Sequence, residues 1–194
     1  MHLRNKIKKI FSLIFFIFFF IFFLPYSILM ASEEAPYKVM HKNNIYEVRH
    51  YSDRLVVQIN KINDNKSFRQ LFNYISGENS KAQKIEMTIP VTQIKIDNKL
   101  FMQFFLPQIF TEETVPTPNN PNIEINNIKE GYFAVIKFSG RPTDKNFEKH
   151  VQILKKKLLE NKILIIGSSI RATYNRPLTP PLFRRNEVMF AIDW

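Results

Sequence analysis

Residues 45–59 read IYEVRHYSDRLVVQI. Two short runs rich in β-branched and aromatic residues, Ile45 to Val48 and Leu55 to Ile59, flank Ser52 and Asp53, residue types that favour turns. This pattern predicts two paired strands around the turn. A helix is predicted next. Asp64 or Asn65 can cap it, and Phe68, Leu71, Phe72 and Ile75 recur at helical spacing. Gly77 stands where a C-terminal glycine belongs. Lys84 to Ile96 and Leu100 to Leu106 then predict two further strands joined by Asp97-Asn98.

The same order recurs downstream. Ile123-Glu124-Ile125 and Tyr132 to Phe138 are expected to pair around Lys129-Glu130-Gly131, with glycine supplying a positive φ. Thr143 caps a longer helix whose buried stripe is Phe147, Val151, Leu154 and Leu158, with Lys155, Lys156 and Lys157 mostly on the wet side. Ser169 to Tyr174 and Glu187 to Ile192 close as strands. The Pro-rich segment Val115 to Pro121 links the halves and resists regular structure. Strand, strand, helix, strand, strand, twice over, predicts an α+β domain. Its form is a barrel or curved sheet built from a duplicated unit, with two helices packed on it.

Residues 1–31 read as a separate segment. Arg4, Lys6, Lys8 and Lys9 precede an apolar run from Ile10 to Leu24, which Pro25 ends. That is the layout of a secretory signal peptide. Ala31 suits the last position before a cut, whereas Leu29 stands where a small residue is preferred. Ile10 to Met30 is also long enough to cross a bilayer as an uncleaved anchor. Either way the domain of residues 36–194 is expected outside the cytoplasm, periplasmic or extracellular, with membrane contact only through the leader.

Four of the 28 basic side chains and none of the 17 acidic ones lie in that leader, so the remainder carries a net charge of +7. Such a charge attracts anions but does not specify a fold. No element interleaves basic and aromatic residues as nucleic-acid modules do, so no nucleic-acid partner is expected. Cysteine is absent, which excludes disulfides, thiolate catalysis, zinc-thiolate sites and iron–sulfur clusters. No Ser-His-Asp arrangement, phosphate-cradling glycine loop or metal-ligand cluster appears. Glu86 and Glu187 read as outward strand residues with nothing to bring them together. An enzyme is therefore not expected.

Several runs, in order, carry a family resemblance. They include Tyr46 to Tyr51, Tyr74 to Asn79, Lys84 to Val91, Phe105-Leu106-Pro107, Pro116-Thr117-Pro118 and Phe138-Ser139-Gly140. Tyr174 to Pro177 and Arg184 to Val188 complete the set. Together they resemble the signature stretches of the SOUL haem-binding family. The resemblance implies a distorted β-barrel flanked by two helices. It also implies binding of haem or a related porphyrin in an apolar groove, as a carrier, buffer or scavenger. The same superfamily includes effector-binding and hydrolytic domains, which is the alternative. Leu178, after Pro177, and Met189, in the final strand, depart from residues common in relatives.

Haem iron takes His, Met, Cys or Tyr as an axial ligand. His50 is the candidate that the resemblance implies. The alternative is a half-exposed histidine at a strand end. Met87 alternates onto an apolar face, where core packing is the first reading and a second axial position the other. Haem propionates call for a basic rim, for which Arg49, Arg171, Arg176, Arg184 and Arg185 are candidates. His150 reads as a boundary residue beside the second helix's buried stripe, and His41 as solvated. A monomer with a tetrapyrrole as its partner is expected.

Overall fold

The computed structural model describes residues 32–61 and 63–194, so the reading of residues 1–31 as leader or anchor lies outside the described residues. Residues 32–194 form one compact unit. Its strands are β1 (Lys38–Lys42), β2 (Glu47–Tyr51), β3 (Arg54–Asn60), β4 (Val91–Ile96), β5 (Lys99–Phe105), β6 (Ile123–Ile128), β7 (Gly131–Phe138), β8 (Leu164–Ile165), β9 (Ile170–Thr173) and β10 (Asn186–Asp193). Helix α1 (Asp64–Ile75) follows β3, and helix α2 (Asp144–Glu160) follows β7. Among the described residues, no helix is long and apolar enough to cross a membrane.

All ten strands form one antiparallel sheet in the order β1-β2-β7-β10-β9-β4-β5-β3-β6, with β8 pairing β10 to the side. The duplication is visible in that order. Exchanging β2, β3, β4 and β5 with β6, β7, β9 and β10 maps the path from β2 to β6 onto itself reversed, with the β4–β9 pair at its centre and β1 added outside the repeat.

The hairpins expected at Ser52-Asp53 and at Lys129-Glu130-Gly131 do not form, whereas the one at Asp97-Asn98 does. β2 pairs with β1 and β7, and β3 pairs with β5 and β6. β6 likewise pairs with β3 rather than with β7. Each two-residue connection instead crosses from one end of the sheet to the other. Tyr51 ends the second strand of the path and Arg54 begins the eighth. Three residue steps span at most roughly 11 Å. A ten-stranded sheet can satisfy that limit only by curling until its ends approach one another, so the half-barrel follows from two short loops. The two crossings also hold each other: Asp53 accepts from the Glu130 backbone N–H at 2.8 Å and pairs with Lys129 at 3.0 Å. Gly131 starts β7 without a positive φ, contrary to the expected turn.

Strand alternation gives the sheet two faces. The outer face carries the helices. Leu71, Tyr74 and Ile75 of α1 pack on Val57, Ile59, Met102 and Phe104. Phe147, Val151, Leu154 and Leu158 of α2 pack on Val48, Ile136, Val188 and Phe190. Thr143 caps α2 as expected, accepting from the Asn146 N–H. For α1 the cap is Asn63, one residue before the expected Asp64 or Asn65. Phe68 and Phe72 are half exposed, and Ser67 and Tyr74 take the buried positions with Leu71 and Ile75. The Asp97-Asn98 turn has positive φ at both residues, the geometry of a tight hairpin. Residues 84–90, expected as strand, run outside the ladder until Val91.

Candidate functional site

The inner face is built from residues that alternate with the core. Tyr51, Phe133, Val135, Ala172 and Met189 form an apolar cluster there. Beside it sits Glu187, wholly buried. Glu187 Oε1 accepts from Arg49 Nη2 at 3.1 Å and Arg185 Nε at 2.9 Å. Its Oε2 accepts from Arg49 Nη1 at 2.9 Å and from the Tyr174 hydroxyl at 2.6 Å. Four donors fill the acceptor positions of one carboxylate, leaving it no free lone pair for proton transfer. Each arginine has a second acid: Glu47 for Arg49, at 2.8 Å, and Glu34 for Arg185, at 2.7 Å.

The electrostatics follow from burial and pairing. Burial disfavours charge on Arg49, but the hydrogen bonds and charge of Glu187 outweigh it and raise its pKa. Burial, together with the Glu187 carboxylate, pushes the Tyr174 phenol well above its usual range.

On the other half of the inner face Thr92, Gln103 and Gln58 form a ladder across strands that ends on the Glu124 carboxylate. Thr92 Oγ1 donates to Gln103 Oε1 at 3.1 Å. Gln103 Nε2 donates to Gln58 Oε1 at 2.9 Å, and Gln58 Nε2 to Glu124 Oε2 at 3.2 Å. Thr92, Gln103 and Gln58 are buried. Thr92, Gln103 and Gln58 thus satisfy one another's polar groups on this face.

Arg54 joins the two halves. It is the first residue of β3, and its guanidinium lies 4.0 Å from the Tyr51 ring centroid, 5.1 Å from that of Phe133 and 5.2 Å from that of Phe105. It makes no ion pair with any described residue, and its Nε is buried without a hydrogen-bond partner. Burial pushes its pKa down to about 10, so it stays charged at neutral pH. Arg54 lines a cleft of about 480 Å³ at the end of the half-barrel. The size falls within the roughly 300–1,000 Å³ of small-molecule sites. Leu55, Phe105, Leu106 and Phe110 supply apolar wall, and Glu33, Asp53, Glu112 and Glu113 supply carboxylates. No histidine or methionine lines it.

The residues singled out from sequence do not converge. Arg49 faces inward and is committed to Glu187 and Glu47. His50, its neighbour, points to the opposite face, where its ring lies 4.8 Å from that of Tyr132. Met87 packs against the α1 core. Arg176 is exposed on the connection between β9 and β10. Glu187, read as outward, is the most enclosed carboxylate of the inner face. His150 is stacked on Phe138, with ring centroids 3.8 Å apart. Arg54 was missed because a charged residue opening a strand reads as solvated, and the rings that enclose it come from three other strands.

The family model described as SOUL heme-binding protein matches residues 32–191. No curated protein matches the chain. Among solved structures, the EcmrR C-terminal domain is 12% identical with a TM-score of 0.56, over 81% of this chain and 98% of that one. A hydrolase from Listeria innocua is 10% identical with a TM-score of 0.56, over 79% and 94%. At these identities the likeness is one of fold.

Proposed function

Because the chain belongs to the SOUL heme-binding protein family, we propose that it binds haem or a related tetrapyrrole in the cleft beside Arg54, as a carrier, buffer or scavenger outside the cytoplasm. The observation that carries this reading is Arg54, which lines a cleft with an apolar wall, packs its guanidinium on aromatic rings and makes no ion pair with any described residue. A tetrapyrrole presents an apolar face and propionates. The apolar wall fits the face by packing, and the planar guanidinium of Arg54 matches one propionate; Glu33, Asp53, Glu112 and Glu113 in the same cleft oppose a second anionic group, so the other propionate would have to face solvent. The cleft residues provide no axial ligand for iron, so this placement relies on packing and charge; ligation by His50 would need a second position on the outer face. The basic and then apolar pattern of residues 1–31 supports a place outside the cytoplasm. Saturation of Glu187 by four donors supports binding rather than acid–base catalysis.

A haemin titration of residues 32–194, followed at the Soret band, tests the placement. Arg54→Gln should weaken saturable binding by roughly 10–100-fold, the worth of a hydrogen bond to a charged group. Arg54→Lys should recover part of it. His50→Ala should leave the spectrum and affinity unchanged. Unaltered affinity in Arg54→Gln would remove the cleft from consideration. A changed spectrum in His50→Ala would move the ligand to the outer face.

A further inference from the structure

Between β9 and β10 the chain runs Asn175-Arg176-Pro177-Leu178-Thr179-Pro180-Pro181-Leu182-Phe183-Arg184. Three large apolar side chains on this loop stand in solvent: Leu178 is 97% exposed, Leu182 83% and Phe183 78%. Single exposed apolar residues are ordinary, but three within six residues form a patch.

The backbone of this loop is braced by hydrogen bonds. Arg184 donates from Nε to the Thr179 carbonyl at 2.9 Å and from Nη2 to the Pro177 carbonyl. The Gly140 N–H donates to the Pro181 carbonyl at 2.9 Å, and the Arg185 N–H to Asn175 Oδ1 at 2.6 Å. Three prolines restrict the backbone further, and Pro181–Phe183 forms a single 3-10 turn.

The surrounding charge is of one sign. Residues 161–186 contain no Asp or Glu. Exposed Arg176 lies on the loop, and exposed Arg141 follows the glycine bonded to it; neither pairs with an acid among the described residues. The nearby Asp144 is neutralised by Arg171. A rigid apolar tip rimmed by unpaired arginines matches the boundary between acyl chains and anionic headgroups. We propose that this loop docks the domain on an anionic membrane surface, with Leu178, Leu182 and Phe183 entering the interface and Arg141 and Arg176 meeting the headgroups. The inference is independent of the tetrapyrrole reading.

Cosedimentation of residues 32–194, which carry three hydrophobic cores of their own, tests it without the apolar N-terminal segment. The vesicles are phosphatidylcholine alone, or phosphatidylcholine and phosphatidylglycerol in equal parts. Binding is expected to the anionic vesicles and to weaken with salt. The Leu178→Asp/Phe183→Asp variant should bind at least about tenfold more weakly, since two apolar side chains no longer leave water. Its circular dichroism should be unchanged, and Arg54→Gln should bind vesicles as the parent does. Failure of the parent to sediment, or equal binding by the double variant, would overturn the proposal. So would loss of haemin binding in the double variant without vesicle binding by the parent, an outcome that assigns the patch to the tetrapyrrole.

Discussion

Replacing Glu187 with alanine is expected to cost the domain roughly 3–5 kcal/mol of stability, because it removes the acceptor shared by the buried Arg49 guanidinium and the partly buried Arg185. Glu187 is wholly buried, and Arg49 beside it is 3% exposed. Without the carboxylate, Arg49 is left with Glu47 and Arg185 with Glu34 as its one acid, and the Tyr174 hydroxyl loses its acceptor. Surface ion pairs contribute far less, so the effect separates this network from the exposed pairs elsewhere in the fold. The paired change Glu187→Leu with Arg49→Met should recover much of the loss, since apolar residues of similar volume often replace a buried ion pair without penalty. Tyr174→Phe should cost only about 1 kcal/mol. Urea denaturation of residues 32–194 measures all three variants against the parent. A Glu187→Ala variant within 1 kcal/mol of the parent would show that the network does not hold the sheet together.

Leu71→Ala and Leu154→Ala are each expected to cost about 2–5 kcal/mol. Both side chains are fully buried, one under each helix, in separate core clusters. The two halves share one sheet, and the crossings at Ser52-Asp53 and Lys129-Glu130 tie each half to the other. A single cooperative transition is therefore expected in each variant, and the two losses should add, because the sites share no partners. Two transitions in thermal denaturation, with each substitution shifting only one, would mean that the repeats unfold as independent units.

The strands and helices were largely legible because their signals are local. α2 is set by its Thr143 cap and its stripe of Phe147, Val151, Leu154 and Leu158, all near in sequence. The Asp97-Asn98 hairpin needs only two residues that tolerate positive φ. β1 and β8 escaped notice. β1 is exposed along its whole length and lacks an apolar face, and β8 is two residues long. The membrane-facing and haem-binding readings differ in kind from these. They depend on which side chains end up together, and that is a property of the sheet path.

Strand pairing shows the limit most clearly. Tyr51 and Arg54 lie three residues apart, and in sequence Ser52-Asp53 reads as an ordinary hairpin turn. A turn signal specifies a change of direction but not which strand comes alongside. Here both flanking strands find better partners elsewhere, and the short link curls the sheet instead. Curling carries Tyr51, Phe105 and Phe133 around Arg54, and Arg49 and Arg185 to Glu187. Local periodicity and ordered motifs were enough for most of the element types, the duplication and the family. The tertiary structure alone decided which charges are neutralised and which stands free at the cleft. Burial and pairing depend on residues far apart in the chain, 138 positions for Arg49 and Glu187 and 151 for Glu34 and Arg185.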